Sequence, residues 1–168
     1  MGVEIERKFL VVGEGWRGAG ASRSIRQGYL STDPDRVVRV RLSGARGYLT
    51  VKGRAQGARR TEIELEIPAG EATELLALCK GSLVEKTRHV IEHGGFRWEL
   101  DEFTGDNAGL LVAELEVADE ADFERALSAP PPWLGRDVTD DPRLANSALS
   151  ERPFAAWSDA ERRALGAQ

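Results

Sequence analysis

The sequence predicts an α+β fold, in which an eight-stranded antiparallel β-barrel forms a tunnel with a charged lumen and helices flank it. Two observations predict this fold. Alternation of apolar and polar residues with period two recurs along most of the chain, and short stretches rich in Gly, Asp and Pro separate the alternating segments. Eight strands with short connections favour hairpins that curl into a barrel with helices outside.

The predicted strands follow one another with few interruptions. Each is a run of residues in which side chains of one kind occupy every second position, as expected when the two faces of a sheet have different surroundings. The alternation predicts strands over Val3–Val12, Ser24–Ser31, Arg36–Ser43, Gly47–Gly53, Arg59–Ile67, Leu83–Ile91, Phe96–Phe103 and Leu110–Val117.

Four helices are predicted between and after these strands. Two lie between strands, over Glu71–Lys80 and Glu120–Leu127. A third runs over Pro142–Leu149, and a fourth begins with a capping-box pattern at Ser158 and Glu161. Residues 1–149 are expected to form one domain, and residues 150–168 a C-terminal helical extension.

Composition excludes several classes of protein. The chain has 168 residues, of which 41% are hydrophobic and 30% charged, as in ordinary globular proteins. Its single cysteine, Cys79, excludes a disulfide framework and a cysteine-based metal cluster. The net charge of −5 argues against nucleic-acid and membrane partners. Charged residues from Glu4 onward and the lack of a long apolar run predict a cytoplasmic protein.

The polar residues that alternate along the strands are almost all Glu, Arg or Lys, and each strand tends to carry one sign of charge. If these residues face a lumen, it holds six cations, Lys8, Arg39, Arg41, Lys52, Lys86 and Arg88. It also holds six carboxylates, Glu4, Glu6, Glu62, Glu64, Glu114 and Glu116. Two like charges ~6 Å apart repel by roughly 2–3 kcal/mol at an effective dielectric constant near 20. A polyanion beside the cations and a divalent metal beside the carboxylates would relieve this repulsion.

Alternation alone fits a second interpretation equally well, in which the charged face of an antiparallel sheet simply lies in water. The carboxylate pairs favour the first interpretation. In a strand, a Glu-x-Glu pair places both side chains on one face about 6.5–7 Å apart, so that they can share one hard cation. Mg²⁺ and Mn²⁺ prefer such oxygen ligands. The sequence has three such pairs, at Glu4/Glu6, Glu62/Glu64 and Glu114/Glu116.

An ordered set of motifs resembles the CYTH superfamily, the triphosphate tunnel metalloenzymes, in its small single-domain bacterial form. Glu4-Ile5-Glu6-Arg7-Lys8 is similar to the family's E-x-E-x-K signature. Further motifs follow in the family's order: Arg26-Gln27-Gly28-Tyr29-Leu30, Arg39-Val40-Arg41, Leu49-Thr50-Val51-Lys52, Arg60-Thr61-Glu62-Ile63-Glu64, Val84-Glu85-Lys86-Thr87-Arg88, Trp98-Glu99-Leu100-Asp101 and Glu114-Leu115-Glu116. The resemblance covers roughly residues 3–149.

The resemblance implies a barrel whose lumen binds a triphosphate together with Mg²⁺ or Mn²⁺. It implies that the phosphates are held by Lys8, Arg39, Arg41, Lys52, Lys86 and Arg88. Glu114 and Glu116 would hold a metal that bridges phosphate oxygens. A second metal, or the attacking water, would be served by Glu4 and Glu6 with Glu62 and Glu64.

Three further positions follow from the resemblance. Asp101 would support the metal site, and Tyr29 with Lys8 would form an auxiliary proton-transfer pair. Many small members carry D-x-R-Y-x-N near a C-terminal helix that plugs the tunnel. Here the corresponding run is Asp141-Pro142-Arg143-Leu144-Ala145-Asn146, so Leu144 replaces the aromatic residue.

The activity implied by the resemblance is hydrolysis of inorganic tripolyphosphate to pyrophosphate and phosphate. The partner would be a small molecule that contains a triphosphate, and the protein would be a monomer or a homodimer. Three alternatives share the same tunnel: a class IV-type adenylate cyclase, a nucleoside or thiamine triphosphatase, and a polyphosphate-binding module without activity.

Overall fold

The computed structural model describes residues 5–54 and 61–166, and in them nine strands form one antiparallel sheet. The strands are β1 (Ile5–Val11), β2 (Ala21–Ser31), β3 (Arg36–Ser43), β4 (Arg46–Gly53), β5 (Glu62–Ile67), β6 (Lys80–His93), β7 (Phe96–Thr104), β8 (Leu111–Val117) and β9 (Leu134–Asp137). Their order across the sheet is β5-β4-β3-β2-β6-β7-β8-β1-β9. Four α-helices accompany them: α1 (Ala69–Ala77), α2 (Glu120–Ser128), α3 (Asn146–Glu151) and α4 (Asp159–Leu165).

The predicted α+β class, antiparallel sheet and flanking helices are confirmed, but two details of the barrel were wrong. The sheet of the described residues has nine strands rather than eight, and it does not close, since β5 and β9 are its edges. The ninth strand lies beside β1, where the closing pair of a barrel would form. β1 pairs with β8 along one edge and with β9 at Phe9 and Val11 along the other, and the described residues show no pairing of β1 with β5.

The two faces of the sheet differ because side chains alternate along every strand. In β1, Phe9 and Val11 point to an apolar face, whereas Glu6 and Lys8 point to the opposite face. The apolar face carries two clusters of buried side chains, one around Trp98 and one around Val40. The predicted strands whose first residues are Val3 and Arg59 begin outside the described residues.

Helices α1 and α2 cover the apolar face. Ala72 and Leu76 of α1 pack on β3 and β4, and Phe123 and Ala126 of α2 pack in the cluster of Trp98. Asp119 caps α2, because its carboxylate accepts a hydrogen bond from the backbone N–H of residue 122 at 2.9 Å. In the described residues, no helix is long and apolar enough to cross a membrane.

The C-terminal part of the described chain covers one end of the opposite face. Leu144, Leu149, Phe154, Trp157 and Leu165 pack there against side chains of β1, β6, β7 and β8. We call these residues the C-terminal cluster.

Helix α3 comes close to β6. A Cβ at Gly81 would lie 2.4 Å from the carbonyl oxygen of Ser150, and Gly81 has a φ of +70°. Only glycine therefore fits this crossing without strain.

Two predicted helices differ in detail from the structure. The helix predicted over Glu71–Lys80 lies at Ala69–Ala77, directly after Pro68, and β6 begins three residues after it ends. The helix predicted over Pro142–Leu149 is divided into a 3₁₀ turn and α3, because Ala145 is extended. The capping box of the last helix is confirmed: Ser158 and Glu161 exchange both hydrogen bonds at the start of α4.

The C-terminal cluster should contribute strongly to stability. Leu149 is fully buried in it, so we expect Leu149→Ala to lower the free energy of unfolding by about 2–5 kcal/mol through lost burial and a residual cavity. Urea denaturation followed by tryptophan fluorescence measures this change. Leu78→Ala is the matched control, because Leu78 is 69% exposed and should cost about 0.5 kcal/mol or less. Equal losses in the two variants would contradict a stabilising role of the cluster.

Candidate functional site

One face of the sheet collects the charged side chains, and we call it the charged face. Strand register produces it: Lys8 lies opposite Glu114, and Arg88 opposite Asp101. Side chains at every second position of each strand join them there. The face brings together the sequence-predicted residues Glu6, Lys8, Tyr29, Arg39, Arg41, Lys52, Glu62, Glu64, Lys86, Arg88, Asp101, Glu114 and Glu116. Glu4 lies outside the described residues.

The charged face is enclosed in its middle and open at one edge. Lys86, Arg88 and Asp101 are 2%, 7% and 1% exposed. In contrast, Glu62 and Glu64 on the edge strand β5 are exposed. The interpretation of a charged face that lies in water therefore fits β5, and the interpretation of an enclosed charged site fits β6 and β7.

Asp101 holds two cations at the buried middle of the face. Lys86 Nζ donates to Asp101 Oδ2 at 2.6 Å. Arg88 donates from Nε to Oδ1 at 2.7 Å and from Nη2 to Oδ2 at 2.8 Å, in a two-pronged contact. One carboxylate therefore fixes both an ammonium and a guanidinium, and it fixes them side by side.

The pKa values of these three groups reflect burial and mutual attraction. Burial lowers the pKa of the Lys86 amine, and the negative charge of Asp101 offsets this only in part. Burial alone would raise the pKa of Asp101, but Lys86 and Arg88 outweigh it and lower that pKa to about 2. Burial likewise works against the Arg88 guanidinium, yet hydrogen bonds to Asp101 raise its pKa above the ordinary value. Asp101 and Arg88 are therefore ionised at neutral pH.

A second group of ion pairs lies on β3, β4 and β5. Arg39 Nη2 donates to Thr50 Oγ1 at 3.2 Å and to Glu64 Oε2 at 3.3 Å, while Thr50 Oγ1 donates to the same Glu64 oxygen at 2.9 Å. Lys52 Nζ lies 3.4 Å from Glu62 Oε2. The carboxylates of β5 are thus engaged with cations of the same face.

Arg41 and Tyr29 lie next to this group and are largely buried. Arg41 Nε donates to Gln27 Oε1 at 2.9 Å. Burial, with repulsion from Arg39 and Arg88, lowers the pKa of Arg41 to about 10. Burial raises the pKa of the Tyr29 phenol, although Arg39 and Arg41 favour its ionised form. Tyr29 therefore stays protonated near neutral pH and can donate a hydrogen bond.

Carboxylates surround a cavity at the other end of the face, which we call the acidic cavity. It has a volume of about 210 Å³ and is lined by Glu6, Arg97, Glu99, Glu114 and Glu116. Burial and the charge of Glu114 raise the pKa of Glu6, although Lys8, with its Nζ 3.9 Å from Glu6 Oε1, counteracts this. A larger cavity of about 670 Å³ adjoins it at Glu6 and is lined on its far side by residues 136–141.

The acidic cavity offers the oxygen ligands that Mg²⁺ and Mn²⁺ prefer. Within residues 5–54 and 61–166, no three His, Cys, Asp or Glu side chains are already close enough together to hold a metal. Burial is the main cause of the raised pKa of Glu6, and repulsion from the Glu114 carboxylate adds to it. A divalent cation beside these carboxylates would offset both effects, so the chemistry of the donor set fits such a metal.

The C-terminal part of the chain reaches the charged face through Asn146. Lys86 Nζ donates to Asn146 Oδ1 at 3.3 Å. Leu144, which replaces the aromatic residue of the related motif, is 2% exposed and packs in the C-terminal cluster. The C-terminal segment thus contacts the site through the amide of Asn146, while Leu144 packs in the cluster that holds this segment.

Sequence reasoning missed three residues of the site. Glu99 lines the acidic cavity and forms ion pairs with Arg88 and Arg97. Its position two residues before Asp101 on one strand was a usable signal. Gln27 and Asn146 do not stand out in a charge pattern because they are neutral, and their positions within the quoted family motifs were the usable signal.

Comparisons with known proteins give one family model and two relatives that each cover most of the chain. The CYTH domain profile matches residues 2–147. An inorganic triphosphatase of Acetivibrio thermocellus is 47% identical over 160 residues, 95% of this chain and 100% of the relative. Another, from Nitrosomonas europaea, is 38% identical over 149 residues, 88% of this chain and 96% of the relative.

A solved structure agrees with the two relatives. The crystal structure of an inorganic triphosphatase superposes with a TM-score of 0.71 at 35% identity, over 89% of this chain and 95% of the other. The profile match, the two relatives and this shared fold each extend over most of the chain. The chain therefore belongs to the CYTH domain family.

Proposed function

We propose that this chain is an inorganic triphosphatase, which hydrolyses tripolyphosphate to pyrophosphate and phosphate at the charged face. The observation that carries the proposal is the acidic cavity beside a row of fixed cations on one face of the sheet. Cations alone would bind a polyanion, whereas a cavity of carboxylates next to them, by taking a divalent metal, would supply the means to cleave it. The two relatives and the superposed structure named above support the same activity.

The cations bind the substrate in this proposal. Tripolyphosphate is a flexible chain with charge on every phosphate, so it needs positive groups spread along its length. The charged face provides them in Lys8, Arg39, Arg41, Lys52, Lys86 and Arg88. Because they are held before the substrate arrives, binding does not require them to be reorganised. Asp101 has both oxygens engaged by Lys86 and Arg88, and we assign it to positioning these two cations.

The carboxylates serve a divalent metal, Mg²⁺ or Mn²⁺. Triphosphatases of the CYTH family are metal-dependent in general. We assign the metal to Glu6, Glu114 and Glu116 of the acidic cavity, with Glu99 beside them and Glu4 as a further candidate outside the described residues. When bound, the metal would neutralise charge on the phosphates and make the terminal phosphorus easier to attack.

The remaining site residues orient the reacting groups. Glu62 and Glu64 hold Lys52 and Arg39 in place through the ion pairs described above. Tyr29, protonated near neutral pH, would donate a hydrogen bond toward a phosphate oxygen, and Lys8 would stabilise charge beside Glu6. Water then attacks the terminal phosphorus in line with the leaving pyrophosphate.

The first prediction from the proposed function is the activity itself. Purified protein should release phosphate from tripolyphosphate with Mg²⁺ or Mn²⁺, much faster than from ATP, and a chelator should abolish the release. Phosphate release followed by colorimetry measures this, with pyrophosphate and cyclic AMP assayed in parallel. Binding of tripolyphosphate without any release would show a polyphosphate-binding module, and cyclic AMP from ATP would show a cyclase. Either result would overturn the proposal.

The second prediction separates turnover from binding. Glu6→Gln should lower the turnover number by about 100-fold, because it removes a carboxylate of the acidic cavity that acts in the transition state. Its affinity for tripolyphosphate in the presence of chelator should be unchanged or slightly higher, since a negative charge is lost. Steady-state kinetics and calorimetric titration give the two quantities.

Glu102→Gln is the matched control for this change. Glu102 lies on β7 but on the opposite face, where it contacts His89 and Arg17. Its turnover should stay close to that of the wild type. A similar loss of turnover in both variants would mean that Glu6 has no special part in the reaction.

The third prediction concerns the buried middle of the face. Asp101→Asn should lower the free energy of unfolding by about 3–5 kcal/mol, because it leaves Lys86 and Arg88 buried without their shared charge. The exposed Asp106→Asn is the control and should change little. Urea denaturation at pH 7 measures both.

The stabilisation from Asp101 should also depend on pH in a defined direction. The pKa of Asp101 falls from an ordinary 3.8 to about 2 on folding, so its charge stabilises the fold fully above 3.8. This stabilisation is lost as the pH falls through the folded-state pKa. The gap in urea midpoint between wild type and Asp101→Asn should therefore narrow below pH 4. A gap that widens there would contradict the assignment.

A further inference from the structure

Gln27 is a neutral residue in the middle of the charged face, and it is fully buried. It lies on β2, opposite Arg41 on β3 and Val84 on β6. A fully buried amide on a charged face is expected to form hydrogen bonds with both its oxygen and its nitrogen. The hydrogen-bond partners of the amide oxygen and the amide nitrogen therefore indicate the role of Gln27.

The orientation of the Gln27 amide is fixed by chemistry. Arg41 Nε lies 2.9 Å from Gln27 Oε1, and a guanidinium only donates hydrogen bonds. The carbonyl oxygen of Gln27 must therefore face Arg41, since the opposite orientation would set two donors against each other. The amide nitrogen must then point away from Arg41.

The amide nitrogen has no acceptor. Gln27 Nε2 is buried and finds no hydrogen-bond partner among the described residues, and the same holds for the Nε of Arg39 on the neighbouring strand. A buried donor without an acceptor costs free energy, and folded proteins contain few of them. Buried donors without a partner also occur elsewhere in the described residues, but those of Gln27 and Arg39 lie on paired strands of the charged face, where one bound acceptor could satisfy both.

An anion is the acceptor that fits. Arg41 lies directly opposite Gln27 on β3, and Arg39 lies two residues away on the same face, so both supply positive charge near this position. Burial together with the charge of neighbouring arginines lowers the pKa of Arg41, which a bound anion would reverse. A phosphate oxygen accepts hydrogen bonds from neutral and charged donors alike.

We propose that Gln27 is a substrate-binding residue, which donates a hydrogen bond from Nε2 to a phosphate oxygen of the bound triphosphate while its Oε1 holds Arg41. This inference rests on the proposed function and adds a residue to it. The amide strengthens binding without adding charge, and so it does not increase repulsion among the cations.

A purely structural role makes a different prediction. If Gln27 only orients Arg41, its removal should matter solely through Arg41. If Gln27 also contacts the substrate, its removal should weaken binding even when Arg41 has been replaced. A double-mutant cycle over Gln27 and Arg41 distinguishes these two cases.

The experiment is calorimetric titration of tripolyphosphate, with chelator present so that the substrate is not hydrolysed. The proteins are wild type, Gln27→Met, Arg41→Met and the double variant. Gln27→Met should weaken binding about tenfold in the wild-type background and by a similar factor in the Arg41→Met background, as expected for one lost hydrogen bond to a charged group. No further weakening in the Arg41→Met background would overturn the proposal.

Two more variants complete the test. Arg26→Met is the matched control, because Arg26 lies next to Gln27 on β2 but pairs with Glu85 on the other face, and it should bind as the wild type does. Gln27→Leu removes the amide without adding a negative charge, so it should also bind more weakly, both alone and in the Arg41→Met background. It tests the inference if circular dichroism shows that Gln27→Met does not fold.

The outcomes separate this inference from the proposed function. In one outcome, the wild type binds and hydrolyses tripolyphosphate and both Gln27 variants bind it equally well. This outcome would overturn only the proposed role of Gln27. Wild type that neither binds nor hydrolyses tripolyphosphate would overturn the proposed function and the inference with it.

Discussion

The rest of the charged face depends on the buried ion pairs that Asp101 forms with Lys86 and Arg88. Cations placed side by side in a buried position repel one another and lose their hydration, and a carboxylate between them is what makes the arrangement stable. The attraction of Lys86 and Arg88 for the Asp101 carboxylate lowers the pKa of Asp101 to about 2. The pattern repeats with less burial where Glu64 holds Arg39 and Glu62 holds Lys52.

The fold supports this face from both sides. Helices α1 and α2 pack on the apolar face and stabilise the strands there. The C-terminal cluster covers one end of the charged face. That cluster also brings Asn146 to Lys86. The packing that stabilises the protein and the contacts that position its cations are thus made by the same segment.

Much of the fold and of the site could be predicted from the sequence, since period-two alternation marks strands and their faces directly. The charged residues at Arg39, Arg41, Lys86 and Arg88 were visible in this way. Strand β9 was not, because Leu134–Asp137 is too short to show alternation and follows three prolines. Which strands form the edges depends on pairing between distant segments, and the part played by Gln27 depends on a hydrogen bond that no local pattern reveals.

The position of β1 between β8 and β9 has a consequence for how the molecule folds. Glu6 and Lys8 are paired with residues more than a hundred positions later in the chain, at Glu116 and Glu114. Contacts of such long sequence separation form slowly, because the intervening chain must be ordered before they are gained. Assembly of the acidic cavity therefore requires the closure of a loop of about a hundred residues, which costs conformational entropy. The cations of the β2–β3–β4 meander need no such closure, because those strands are joined by short connections.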